Sequence, residues 1–281
     1  MGTNLLRSRR AFTLVELLVV LAIIGVLVSL AIPAAAAIKS RANDLAIARE
    51  IASLRDAVIA YKLDMQDYPP SMGEDYSPAN RYRTICEQHL RKCYPRISPQ
   101  AKEYFYNYIA PEIDQDESLV FWLSLTVRND RDPFPVAVLN GNPIPKSWPS
   151  GGTRRVWYDF RQERFWDNPA DADDIPAYRA PYCKDTTFVH IDARYYRMHL
   201  TPQTAAISAA QPYFDKQGQP INPTTFQIIT AGQDGEYGPL YDAVTNPALL
   251  KHFPSGENFG DDDYDNITDF SGGQRLSAFL P

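Results

Sequence analysis

The stretch Arg9-Arg10-Ala11-Phe12-Thr13-Leu14-Val15-Glu16-Leu17-Leu18-Val19-Val20 decides how the rest of this 281-residue chain is read. It opens an apolar run that carries no charge from Leu17 to Ile38. As a helix that run spans roughly 33 Å at 1.5 Å per residue, about the thickness of a bilayer core. Arg7, Arg9 and Arg10 precede it, and Lys39 and Arg41 follow it. The positive-inside bias places the N-terminus in the cytoplasm and the remainder outside. Hydropathy alone admits two ordinary readings. One is a cleavable secretory signal with a small-residue site at Ala35-Ala36-Ala37; the other is a plain signal anchor on a periplasmic domain. Glu16 fits neither reading well. An ionised carboxylate among Phe12, Leu14, Val15, Leu17 and Leu18 costs roughly 3 kcal/mol at the centre of a span and less near an end.

Those residues resemble the processing motif of type IV prepilins and type II secretion pseudopilins. The resemblance implies a membrane prepilin peptidase that cuts between Ala11 and Phe12 and methylates the new amino group. It makes Glu16 the fifth mature residue, the position at which the family keeps a glutamate, and Pro33 the proline at which many pilins kink their helix. The family usually has Gly where this chain has Ala11. The cut exposes a cation at Phe12, and the resemblance implies that Glu16 neutralises that cation on an adjacent subunit. Two charges that are each costly in lipid are less so as a pair. Pro33 cannot donate to the Ser29 carbonyl, so the helix is expected to bend or melt locally there.

Beyond Ile38 the apolar pattern narrows to one face. Ile47, Ile51, Leu54, Val58, Tyr61 and Met65 recur at alternating spacings of four and three, an amphipathic helix that Pro69-Pro70 ends. The expected organisation is a leader over 1–11, a transmembrane half-helix over 12–38 and an amphipathic half over 39–66. A periplasmic domain follows over 67–281, with an insertion at about 71–185. A short helix is expected near Ser118 to Leu125, and strands at Arg155 to Phe160, Thr187 to Tyr196 and Thr225 to Thr230. The fold class is therefore α+β: a long N-terminal helix packed on a small antiparallel β-sheet with loop insertions.

Composition narrows the function. Hydrophobic residues make up 44% of the chain and the formal net charge is −6, so no nucleic-acid partner is expected. The sequence holds no Gly-x-Ser-x-Gly elbow, no His-Glu-x-x-His and no phosphate loop, and the chain is read as a non-enzyme. His190 and His199 read as structural. Trp122, Trp148, Trp157 and Trp166 read as packing residues rather than a sugar-binding platform.

Two clusters invite a metal. Gly232-Gln233-Asp234-Gly235 and the later Asp261-Asp262-Asp263-Tyr264-Asp265-Asn266 are oxygen-rich and Gly-flanked, which suits Ca²⁺ or else a solvated acidic turn. Major pseudopilins of type II secretion carry a similar pair of segments that hold calcium. The resemblance implies Asp234 with one or two of Asp263, Asp265 and Asn266 as structural ligands. Cys86, His89 and Cys93 have zinc-like spacing but only Cys183 as a distant fourth ligand, so a Cys86–Cys93 disulfide is the preferred expectation.

The resemblance implies an inner-membrane, single-pass subunit of a type II secretion pseudopilus. Its partners would be the prepilin peptidase, other copies of itself, minor pseudopilins, an inner-membrane assembly platform and membrane lipid. The alternatives are a type IV pilus subunit for adhesion, motility or DNA uptake, and a membrane-tethered periplasmic enzyme.

Overall fold

The computed structural model describes residues 14–72, 80–126, 128–134, 155–166, 175–183, 186–200 and 210–280. The chain divides into two compact units, Met1–Asn43 and Asp44–Pro281. Helix α1 (Leu14–Met65) contributes to both.

In the first unit the described side chains are exposed almost throughout, with Leu14 at 78% and Leu30 at 67%. Among the described residues, α1 is the one helix long and apolar enough to cross a membrane. Helical geometry continues through Pro33, so the local melting expected there does not occur. Proline leaves the Ser29 carbonyl without its helical donor. The Ser29 hydroxyl turns back instead, donating to the Val26 carbonyl at 2.8 Å.

The second unit is built on the remaining length of α1. All six stripe residues, Ile47, Ile51, Leu54, Val58, Tyr61 and Met65, are buried. Each fully buried aliphatic side chain contributes about 1.5–3 kcal/mol by leaving water. The stripe shares one core with a three-stranded antiparallel sheet of order β3-β4-β5, formed by β3 (Phe188–Asp192), β4 (Phe226–Thr230) and β5 (Ile267–Thr268). Phe188 pairs with Thr230 and Asp192 with Phe226. A separate antiparallel pair joins β1 (Phe165–Trp166) to β2 (Ala177–Tyr178).

Both faces of the main sheet are covered. Phe188, Phe226 and Ile228 pack into the α1 core, whereas Val189, Ile191 and Ile229 pack into a second cluster with Tyr195, Tyr196, Tyr213 and Leu276. A strand buried on both sides loses its apolar–polar alternation, which explains the irregular pattern of Phe188, His190 and Asp192.

Two expectations are corrected. Arg155 to Phe160 form no strand; Trp157 lies edge-on to Tyr61 at 4.6 Å, and Tyr158 and Phe160 pack edge-on to each other and to Tyr178. The strand at Thr187 ends at Asp192, where the Asp192 side chain accepts from the Arg194 amide and starts a 3₁₀ turn. Where it is described, the expected insertion at about 71–185 packs on the α1 core. Its helices α2 (Arg81–Cys93), α3 (Pro99–Tyr104) and α4 (Ser118–Val120) bring Leu90, Tyr94, Phe105, Phe121 and Trp122 into contact with the α1 core. The helix expected at Ser118 to Leu125 is present, its second half as a π turn over Phe121–Leu125.

Candidate functional site

The processing residues Ala11 and Phe12 lie outside the described residues. Glu16 sits in the first turn of α1, exposed and surrounded along the helix by Leu14, Val15, Leu17 and Leu18. A carboxylate there also faces the positive end of the helix dipole. Gly25, further along the same helix, has open space around the position of a side chain.

The acidic loop is where the second unit gathers its charge. β4 ends in a turn in which Gly232 has φ +62°, and a Cβ there would lie 2.3 Å from the Asp265 carbonyl oxygen. Only glycine lets the two segments approach so closely. Asp265 Oδ2 accepts from the amides of Gln233 at 2.7 Å and Asp234 at 3.2 Å. Its Oδ1 is buried and has no hydrogen-bond partner among the described residues. Desolvation, reinforced by the Asp265 and Asp262 carboxylates, pushes the Asp234 carboxyl up to about 6. The turn is tied to α1 at Asp44, which accepts from Gln233 Nε2 at 2.9 Å and from Arg275.

The four residues expected to share a cation are divided between two places. Asp234 and Asp265 meet at the Gly232 turn. Asp263 is fully buried and already neutralised, because its Oδ1 accepts from Lys251 Nζ at 2.7 Å and from the Tyr213 hydroxyl at 2.8 Å. Asn266 donates from Nδ2 to Tyr213 Oη at 2.9 Å, in that same pocket. Among the described residues, no group of three or more His, Cys, Asp or Glu side chains is arranged to hold a metal ion. The donor set therefore fits calcium only in part. Asp234 and Asp265 offer two carboxylates and one orphaned oxygen, whereas Ca²⁺ takes six to eight oxygens.

Cys86, His89 and Cys93 do share a buried face of α2. The Cys86–Cys93 disulfide is not made; both thiols are free. Seven residues along a helix separate the two by roughly 10 Å of rise, beyond the ~7 Å Cα limit for a bridge. Both ring nitrogens of His89 are engaged, Nε2 with the Tyr61 hydroxyl at 2.8 Å and Nδ1 with Asp67 Oδ2 at 2.9 Å. Asp67 can only accept, so Nδ1 carries the proton and Tyr61 donates to Nε2. The Cys93 thiol donates to the Met65 carbonyl at 3.2 Å, and burial pushes its pKa up to about 12. Neither thiol is poised as a thiolate ligand. Cys183 lies elsewhere, donating to the Gly232 carbonyl at 3.1 Å.

Asp67 is the hub of a clamp at the end of α1. Arg194 donates to Asp67 Oδ2 at 2.9 Å, to the Tyr68 carbonyl at 3.0 Å and to both oxygens of Asp192. Burial raises the Asp67 pKa, but the hydrogen bond from His89 and the charge of Arg194 outweigh it and hold the carboxyl well below its ordinary range. Trp122 is fully buried, Trp157 is packed on Tyr61 and Trp148 lies outside the described residues, so packing accounts for the first two. Sequence reasoning missed Lys251, Arg194, Asp44 and Arg275. Lys251 had a readable signal, a lone cation in the apolar stretch Ala248-Leu249-Leu250-Lys251-His252-Phe253.

Comparison with known proteins bears on the N-terminal segment first. The family described as the prokaryotic N-terminal methylation motif matches residues 6–32. The type II secretion system core protein G of Klebsiella michiganensis is 40% identical over 112 residues, covering 39% of this chain and 68% of that protein. The proteins of the same name from Escherichia coli K12 and Klebsiella pneumoniae are 43% identical over 62 residues and 38% over 64. Those matches cover 22% and 23% of this chain, and 43% and 46% of the relatives' own length. No solved structure matches the chain.

Proposed function

The chain belongs to the family of the type II secretion system core proteins G, and on that premise we propose that it is the body subunit of a pseudopilus that supports protein export. A prepilin peptidase removes residues 1–11 and leaves a methylated amine on Phe12. Arg7, Arg9 and Arg10 hold the leader in the cytoplasm, and the unit beginning at Asp44 lies in the periplasm. Subunits then leave the inner membrane through an assembly platform and pack against other copies and minor pseudopilins.

The observation that carries this reading is α1 from Leu14 to Ile38. Its side chains are exposed and apolar all round, and the one carboxylate between Leu14 and Asn43 is Glu16 in the first turn. Such a surface needs lipid or other helices to cover it. Glu16 supplies the register: it docks where a neighbour's N-terminal amine lies in a layer of low dielectric, and a misplaced subunit leaves both charges unpaired. The second unit is a structural head and performs no catalysis. Calcium, held by Asp234 and Asp265 with backbone oxygens and water, would relieve the repulsion at the Gly232 turn; its role is to fix that turn against α1.

Glu16→Ala tests the reading. The variant should insert and be processed normally but fail to form filaments when overproduced. Filaments of ordinary length and number from this variant would refute the pairing.

A further inference from the structure

A pocket of about 260 Å³ opens beside the last turn of α1, lined by Asp64, Arg128, Arg155, Val156 and Trp157. Part of its wall is held from behind. The Trp157 amide donates to the Leu123 carbonyl at 2.9 Å, and the indole lies edge-on to Tyr61. Arg155 is fixed through its guanidinium, Nη2 donating to Asp130 at 2.9 Å and Nη1 to the Met65 sulfur at 2.9 Å. Two charges of the lining are left over. The side chains of Arg128 and Asp64 make no hydrogen bond or ion pair among the described residues, either with each other or with another group. Asp64 lies in the last turn of α1, where the negative end of the helix dipole also favours a cation. Val156, 54% exposed, and the half-buried Trp157 add an apolar flank.

From this arrangement we propose that the pocket binds a free apolar amino acid as its zwitterion. The ligand carboxylate pairs with Arg128, its ammonium with Asp64, and its side chain rests against Trp157 and Val156. The volume falls just below the range of sites for drug-sized ligands, so the occupant is small. A ligand with a single charge would leave either Arg128 or Asp64 without a partner, whereas a zwitterion meets both. A guanidinium takes a carboxylate through two parallel N–H···O bonds. The ammonium is attracted by the Asp64 carboxylate and by the carbonyl end of α1 together. Asp64 and Arg128 are both exposed to water and salt, which holds the affinity to roughly millimolar. The positions of Trp157 and Arg155 are set before the ligand arrives, so binding costs little ordering of that wall. Neither Glu16 nor the acidic turn takes part, and the site is independent of filament assembly.

The test is saturation-transfer NMR on the full-length protein in detergent, with L-leucine as the probe. Leucine should bind at roughly millimolar concentration. N-acetyl-leucine lacks the ammonium and leucinamide lacks the carboxylate; each should bind about tenfold more weakly, the contribution of one charge-assisted hydrogen bond. Arg128→Gln should erase the preference for leucine over leucinamide, and Asp64→Asn the preference over N-acetyl-leucine. Both positions are exposed, and an unchanged melting temperature checks that each variant is folded. Equal binding of the three probes would overturn the proposal, as would no transfer to leucine at all. Preferences that survive in both folded variants would place the binding elsewhere and overturn it too. The three probes on the wild-type protein decide the matter even if a variant fails to fold.

Discussion

Asp44 on α1 grips Arg275 with both carboxylate oxygens, Oδ2 to Nε at 2.8 Å and Oδ1 to Nη2 at 3.0 Å. This pair joins the helix to the last turn of the chain, where Gly273 approaches so closely that a Cβ would sit 2.3 Å from the Ala48 Cβ. Both partners are partly exposed, so the pair is worth about 1 kcal/mol rather than the several of a buried one. Arg275→Met should lower the melting temperature by a few degrees. Arg275→Lys should recover only part of that, because an ammonium cannot bridge both oxygens. Thermal unfolding of the three proteins side by side measures this.

Removing packing atoms from the α1 stripe should cost more. Leu54 is fully buried between the helix and its core. Leu54→Ala should destabilise the second unit by about 2–5 kcal/mol, the range for buried leucines. Ala52→Ser, at an exposed position of the same helix, should change stability by less than about 0.5 kcal/mol. Urea unfolding curves distinguish the two.

Acid should weaken the fold through its buried histidines. Desolvation lowers His199 to about 4 and His190 to about 3 from an ordinary value of 6.5. The unfolded chain therefore binds protons that the folded one refuses. Stability should be fully present above about pH 6.5 and fall as pH drops toward 4. His190 packs beside Phe226, and neither ring nitrogen has a hydrogen-bond partner among the described residues. His190→Phe should flatten the acid limb of a plot of melting temperature against pH. An unchanged limb would remove His190 from the account.

The cation proposal separates two kinds of aspartate. A chelator should lower the melting temperature of the wild-type protein, and Asp234→Asn or Asp265→Asn should abolish that response. Asp263→Asn should lower stability yet keep the response, since Lys251 already neutralises that carboxylate. A calcium response lost in Asp263→Asn but kept in Asp234→Asn would reverse the assignment.

What could be read in the sequence follows from how local each feature is. The α1 stripe was legible to the residue because helical periodicity depends on neighbours four positions apart, and all six positions are buried. The strand at Phe226 to Thr230 was legible as a compact β-branched run. Arg155 to Phe160 misled because alternating aromatics can pack on a helix as well as in a sheet. The acidic segment showed where carboxylates gather but not which of them had found a cation. That choice depends on Lys251, twelve residues before Asp263 and brought in only by the tertiary fold. The disulfide expectation failed because helix α2 holds Cys86 and Cys93 two turns apart along its axis.

The central claim is that the chain is cut and then held in a filament by its new N-terminus. N-terminal sequencing and mass analysis of the protein recovered from its own membranes test this most directly. The account predicts a mature chain that begins at Phe12 and carries one N-methyl group. A chain that retains its leader, or one that begins at Ile38 after cleavage at a secretory-signal site, would contradict it.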